Sequence, residues 1–181
     1  LTHHPYFNLS GNPRLPAAAQ VLRVSADRYL PVDAESIPTG EIASVTGTPF
    51  DFRHAVAIAD NADPAHPQLV LGKGYDQCLV LAGDADCVAE LYSPHSGIAL
   101  RISSDAPAVQ LYEGQHLDTH YPGLGRGVCL EPQDYPDAPN LANFPSTILR
   151  PGEVYRRRIS YRFVNAGPDQ PWDAVCAALD A

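Results

Sequence analysis

Glu131 closes the apolar run Val128-Cys129-Leu130 and stands immediately before Pro132. A carboxylate emerging from a hydrophobic strand is partly desolvated, which raises its pKa toward the range useful to a general base. The competing structural role is a strand-end carboxylate held in a salt bridge. His4 precedes Pro5, whose ring biases the residue before it toward extended backbone. Tyr6, Phe7 and Leu9 follow as an aromatic and apolar anchor able to fix the imidazole. The competing role of His4 is an ordinary surface or core histidine, and each of the two residues is by itself a candidate for acid–base chemistry. A metal centre is the other reading to weigh, because the chain has seven histidines. The close pairs are His3 with His4 and His116 with His120. The i, i+4 spacing of the second pair would set two ligands on one face of a helix. However, Leu117-Asp118-Thr119 runs into Tyr121-Pro122-Gly123, a loop by composition, and no metal site is expected. There is no P-loop, no GxGxxG and no GxSxG elbow, so nucleotide binding and serine hydrolysis have no support.

These residues need strands to position them. Glycine and proline, 13 and 18 of 181 residues, are spread along the whole chain and disfavour helix interiors. Short apolar runs occur at Val21 to Val24, Cys78 to Ala82, Cys87 to Ser93, Ala108 to Tyr112 and Gly127 to Glu131. Ile98, Leu100 and Ile102 alternate with Ala99, Arg101 and Ser103, the period of a half-buried strand. Tyr155, Ile159, Tyr161 and Phe163 share one parity, opposite Arg156, Arg158 and Arg162, while Arg157 breaks the apolar face. Asp27 to Asp33 reads as an extended turn around Pro31, Ile37 to Gly40 and Gly83 to Asp86 as turns, and Ala59 to Pro67 as an exposed loop. Only the tail reads as a helix, with Pro171 in its first turn and Trp172, Val175, Cys176 and Leu179 at i, i+3, i+4 and i+7. The expected fold is all-β, an antiparallel β-sandwich with a short C-terminal helix, with residues 1–181 forming a single domain.

Composition narrows the partners. With 12 basic and 21 acidic residues the formal charge is −9, so the chain offers no global basic face to nucleic acid. Five of the twelve basic residues, Arg150, Arg156, Arg157, Arg158 and Arg162, fall near one strand and read as its solvated face. No apolar run reaches the ~20 residues of a membrane span, and the first ten residues lack the pattern of a secretory signal. Cys78, Cys87, Cys129 and Cys176 show no CxxC or zinc-like spacing, and three lie in apolar stretches as free thiols do. A cytoplasmic location is expected. The chain begins at Leu1 and contains no methionine, which suggests part of a longer protein.

Several segments then align with a known pattern. Thr2-His3-His4-Pro5-Tyr6-Phe7-Asn8-Leu9-Ser10-Gly11 resembles the T-N-H-x-Y-F-N-L-x-G signature of galactose mutarotases (aldose 1-epimerases). So do Tyr29-Leu30-Pro31-Val32-Asp33 with Ile37-Pro38-Thr39-Gly40, and Thr48-Pro49-Phe50-Asp51-Phe52-Arg53. Gly74-Tyr75-Asp76 resembles the G-[YF]-D-H motif, and Ala106 to Gly114 the P-G-V-Q-F-Y-T-G motif with Gln110 in register. Cys129-Leu130-Glu131-Pro132-Gln133, Pro136-Asp137-Ala138-Pro139-Asn140, Phe144-Pro145 and Leu149-Arg150-Pro151-Gly152-Glu153 complete a collinear match over about 160 residues.

The resemblance implies a galactose mutarotase-like supersandwich with an aldose sugar in a cleft, and interconversion of its α and β anomers without a cofactor. Glu131 would be the base for the C1 hydroxyl and His4 the acid for the ring oxygen. Asp76 and Gln110 would bind sugar hydroxyls, and Tyr6 would line the cleft. The departures are His3 and Pro5 beside the acid, Gln77 after Asp76, Glu113 in the Y-T-G segment and Pro132 beside the base; none removes a proton-transfer group. The match is to the carboxy-terminal part of the family. The amino-terminal half, with further strands, an Asn-Arg pair and a second sugar-contacting histidine, is not in this sequence. A partner segment or a homodimer would then cover the missing strands. The alternatives are a sugar-phosphate mutarotase, which would need an arginine cluster near the site, and a non-catalytic carbohydrate-binding β-sandwich, which has no need of both His4 and Glu131 facing each other across one sugar-sized cleft.

Overall fold

The computed structural model describes residues 1–83, 87–117, 121 and 126–181. The described residues form two five-stranded sheets, antiparallel throughout. One comprises β1 (Val21–Val24), β4 (Val56–Ala57), β6 (Ala89–Tyr92), β7 (Ile98–Ser104) and β10 (Ile159–Asn165), in the order β10-β7-β6-β1-β4. The other comprises β2 (Ala26–Leu30), β3 (Ala43–Ser44), β5 (Asp76–Leu81), β8 (Ala108–Tyr112) and β9 (Cys129–Gln133), in the order β3-β2-β5-β8-β9. Among the described residues the α-helices are α1 (Ile58–Asn61), α2 (Pro67–Gly72) and the C-terminal α3 (Trp172–Asp180), with short 3-10 turns at Ala17–Ala19 and Ala138–Asn140.

The main core lies between the sheets. Leu22, Val24, Leu91, Leu100 and Ile102 of the first meet Tyr29, Leu79, Val109, Leu111 and Leu130 of the second. Each inward residue is followed by one that faces away, as the period-2 pleat requires. The outward faces are covered too, which explains why Cys78-Leu79-Val80-Leu81 is apolar without a break. Leu79 enters the main core, while Cys78 and Val80 join Leu30, Ala108, Ala138 and Phe144 on the other side. On the first sheet, Val175 and Leu179 of α3 pack over Tyr92 and Ala99. The predicted helical stripe therefore meets the sheet face opposite the main core.

Four expectations change. Asp27 to Leu30 is strand, not turn, because β2 pairs with β3 and β5, and the chain turns only at Asp33 to Ser36. A register shift between Ala26 and Arg28 interrupts its alternation, which hides the strand from a period-2 reading. Ala59 to Pro67 is not wholly loop. Residues through Asn61 belong to α1, and Pro67 opens α2 at a first helical position after the His66 cap, whose ring accepts from the Gln68 amide at 3.3 Å. The basic segment is only partly strand face. β10 starts at Ile159, and Arg157 precedes it, half-buried and bound to Asp134 at 2.7 Å and to the Asp105 carbonyl at 2.6 Å. The turn at Gly83 to Asp86 lies largely outside the described residues. Ile37 to Gly40 is not a hydrogen-bonded turn: the turn falls at Asp33 to Ser36, closed by the Ser36 amide donating to the Asp33 carbonyl at 3.0 Å, and Pro38 bridges back to Val32 with the Thr39 amide donating to the Pro31 carbonyl at 2.9 Å.

The β6–β7 turn depends on a glycine. Gly97 has φ +77, and a Cβ there would lie 2.3 Å from the Gly167 carbonyl carbon. A side chain would meet both a left-handed backbone and a fixed neighbouring loop. Gly97→Ala is expected to cost about 3 kcal/mol, seen as a thermal midpoint lowered by roughly 6–12 °C. A parental midpoint would show that the 166–168 loop yields freely.

Candidate active site

The outward face of the second sheet carries the polar residues. β5 and β8 pair with Cys78 opposite Gln110, and β8 and β9 with Gln110 opposite Glu131. Cross-strand partners share a face, so Gln110 and Glu131 project together, away from the main core. Asp76, two residues before Cys78, lies on the same face, and the Gln110 amide donates to its carboxylate at 2.7 Å. Gln77 points the other way, donating to the Leu30 carbonyl, so its departure from the family motif does not face the site.

The N-terminal segment brings His4 to this row. Phe7 and Val128 exchange both backbone hydrogen bonds, at 2.8 and 2.9 Å, and the Thr2 hydroxyl donates to the Pro132 carbonyl at 3.1 Å. Residues 2–7 thus run antiparallel along the outer edge of β9, in a register that sets His4 beside Glu131. His4 Nε2 lies 3.2 Å from Glu131 Oε1. Glu131 is buried, at 5% exposure, whereas the His4 side chain is 45% exposed. Burial pushes the Glu131 carboxyl up, the His4 charge pulls it down, and the Asp76 charge raises it again, leaving it above the ordinary value.

Tyr6 stacks its tilted ring 5.0 Å from that of His4, and Tyr112 stands edge-on to both. Desolvation, reinforced by Cys129, Tyr112, Glu131 and Asp76, holds the Tyr6 hydroxyl above its usual pKa. The Gln110 carbonyl oxygen is buried and finds no protein partner, leaving an acceptor open to a ligand hydroxyl. A cavity of about 190 Å³ reaches Asp76, Gln110 and Gln133, and a larger one of about 530 Å³ adjoins it at Gln133 and Pro136. All five residues anticipated for the site, His4, Tyr6, Asp76, Gln110 and Glu131, therefore gather at one region. His4 and Glu131 do not face each other across a sugar-sized gap: they touch on one wall, with Asp76 and Gln110 beside them.

The histidine pairs considered for a metal do not converge. His3 turns from His4 and meets the Tyr161 hydroxyl at 3.1 Å, as alternation along an extended segment demands. His116 stacks on Tyr112, and His120 lies outside the described residues. Two site neighbours were missed. Tyr112 is two residues beyond Gln110 on β8, and Cys129 two residues before Glu131 on β9, so the same period-2 rule that places the known pair would have found them.

Residues 1–162 match the family model for aldose 1-epimerase. The chain belongs to the aldose 1-epimerase family. It is 36% identical over 170 residues to a galactose mutarotase of Homo sapiens, covering 90% of this chain and 49% of that one. An aldose 1-epimerase of Escherichia coli (strain K12) is also 36% identical, over 178 residues, covering 91% and 50%. Among solved structures, an aldose epimerase homologue from C. elegans superimposes with TM-score 0.79 at 33% identity, over 91% of this chain and 50% of that one. The galactose 1-epimerase of Lactobacillus acidophilus NCFM gives TM-score 0.73 at 32% identity, over 88% and 46%. The aldose 1-epimerase sandwich is thus the fold of this chain, which spans about half the length of the relatives it matches. No described helix is long and apolar enough to cross a membrane.

Proposed function

We propose that this chain carries the acid–base centre of an aldose 1-epimerase, acting on the anomers of a free hexose such as galactose or glucose. The observation that carries the reading is the contact of His4 Nε2 with buried Glu131 Oε1 at 3.2 Å, beside the Asp76–Gln110 pair. The hydroxyl oxygen and the ring oxygen of a cyclic aldose are both bonded to C1. Groups that serve them must be neighbours, so an acid and a base in contact on one wall suit the reaction better than two groups on opposite walls.

Glu131 takes the C1 hydroxyl proton while protonated His4 gives one to the ring oxygen, and the C1–O5 bond breaks to leave the aldehyde. Rotation about C1–C2 presents the other carbonyl face. The O5 hydroxyl then attacks, returning its proton to His4, and Glu131 reprotonates the former carbonyl oxygen. Both groups end as they began, and no electrons leave the sugar. Desolvation makes Glu131 a stronger base than an exposed carboxylate, and each well-placed proton transfer contributes roughly 10²–10⁴-fold. Asp76 and the open Gln110 oxygen hold sugar hydroxyls, and Tyr6 flanks the ring.

Residues 1–181 are read as one domain that corresponds to part of the longer architecture of the relatives. A reducing compartment such as the cytoplasm suits four cysteines that all stand as free thiols. A purely carbohydrate-binding sandwich would gain nothing from a buried, pKa-raised carboxylate in contact with an imidazole. Polarimetry of freshly dissolved α-D-galactose and α-D-glucose tests the reading: this chain is expected to speed the approach to anomeric equilibrium over buffer. A well-folded chain giving the buffer rate with both sugars would overturn it.

A further inference from the structure

Cys129 has no part in the proton transfers, yet its thiol sits against both groups that do. It is fully buried, shares a face of β9 with Glu131, and its sulfur, the His4 nitrogen and a Glu131 oxygen all lie within 4.8 Å of one another. We propose that His4, Cys129 and Glu131 form a three-ligand site for a borderline-soft divalent cation such as Zn²⁺, which competes with the sugar for the acid–base pair.

The donor set decides the class of ion. Thiolate, imidazole and carboxylate are zinc ligands, whereas Mg²⁺ and Ca²⁺ favour oxygen alone. With metal–ligand bonds of about 2.0–2.3 Å, the ligand atoms of a tetrahedral site stand about 3.3–3.7 Å apart. The His4–Glu131 contact at 3.2 Å already matches such an edge. The sulfur needs to close by at most about 1 Å, within reach of a side-chain rotation. Two ligands come from one strand, two residues apart, and the third from the segment running along its edge, so the backbone holds all three in register.

Charge favours the same ion. A thiolate and a carboxylate with a neutral imidazole cancel the two positive charges of the metal, leaving no net charge in a buried site. Burial, reinforced by the Glu131 and Asp76 charges, pushes the Cys129 thiol well up, so it stays a thiol until an entering ion displaces its proton. The half-exposed His4 side chain gives the ion a way in, and three protein ligands leave a fourth position for water or a sugar hydroxyl. A bound cation would occupy the His4 nitrogen and neutralise Glu131, which silences both. The inhibition rests on the acid–base reading of this pair; the ion binding does not.

Cobalt(II), a spectroscopic substitute for Zn²⁺, tests binding without any sugar. The chain is expected to show a thiolate-to-cobalt charge-transfer band that Zn²⁺ displaces. Cys129→Ser should abolish the band and weaken Zn²⁺ binding by calorimetry at least about 100-fold, the upper figure for loss of a mere outer-sphere partner. Because a buried substitution can disturb folding, His4→Ala provides a second arm on an exposed side chain, with a similar loss expected. Cobalt binding with no thiolate band, or Zn²⁺ affinity unchanged in folded Cys129→Ser or His4→Ala, overturns the site. If the site binds Zn²⁺ as stated, micromolar Zn²⁺ should inhibit mutarotation, with saturating galactose raising the concentration required. Zn²⁺ binding that leaves the parental rate untouched overturns the competition, whereas a chain with no mutarotase activity at all bears on the catalytic reading and leaves the cobalt result standing.

Discussion

Glu131→Gln is expected to lower the mutarotation rate by about 10²–10⁴-fold while making the folded protein more stable at neutral pH. The first effect follows from removing the base without changing its shape. The second follows from where the base sits. Burial is the largest influence on Glu131 and raises its pKa, His4 opposes it, and Asp76 adds to it, with the net direction upward. The folded chain therefore holds this proton to higher pH than the unfolded chain does. The stability that goes with the protonated carboxyl is complete below the unfolded value of about 4.3, and it is lost as pH rises through the folded value. Above that window the parent carries an ionised carboxylate in a site that disfavours it. Glutamine never ionises, so the variant should melt higher than the parent at about pH 8, and the difference should vanish toward pH 4. The parental rate should fall through the same window on acidification, because a protonated Glu131 cannot accept the C1 proton. Polarimetry and calorimetry across this range check both. A variant as fast as its parent would move the base elsewhere, and one melting lower than its parent at pH 8 would make Glu131 a structural ion-pair partner.

That opposition of rate and stability bears on how far the sequence alone could reveal the site. Glu131 stood out because a carboxylate after Val128-Cys129-Leu130 conflicts with its apolar surroundings, and such conflicts mark functional positions. His4 could be singled out by its setting, but not paired with Glu131 by any local rule. Their contact depends on residues 2–7 pairing along β9, a register between segments more than 120 positions apart. Asp76 and Gln110 became candidates only through the family motifs, since an aspartate and a glutamine on strands are otherwise unremarked. The fold divides the same way. β5, β7 and β8 were legible because their faces are uniformly covered or cleanly alternating. β2 was not, because a bulge between Ala26 and Arg28 breaks the period and two charged residues interrupt the run. α1 and α2 are too short to develop a helical period, so Ala59 to Pro67, with Asp, Asn, Ala and Pro and no apolar repeat, reads as loop.

Glu90 was equally silent in the sequence, and Glu90→Ala is expected to be among the most destabilising single changes in the chain. Its carboxylate is fully buried in the middle of the first sheet, directly opposite Arg23 of β1 on one side and Arg101 of β7 on the other. One carboxylate oxygen meets each guanidinium, both at 2.7 Å. Arg101 also reaches α3, binding the Leu179 carbonyl at 3.2 Å and Asp180 at 2.7 Å. The carboxylate thus neutralises two cations under the helix that covers the sheet. Removing it leaves like charges across a strand with nothing between them. Loss of one partner from a buried ion pair costs about 3–5 kcal/mol. The lower end applies here, because Arg23 is 36% exposed and can turn to water while Arg101 keeps Asp180. A loss of about 3 kcal/mol lowers the melting temperature by roughly 6–12 °C in a chain of this size. The origin of the loss can be separated from the value of the network itself. If the cost is that of stranded charge, the triple variant Arg23→Met, Glu90→Leu, Arg101→Met, which removes charge and partner together, should recover most of the midpoint, since apolar replacements of buried ion clusters are often neutral or better. If the triple variant melts as low as Glu90→Ala, the Arg101 grip on the end of α3 is what the first sheet depends on, and the carboxylate matters because it holds that arginine in place.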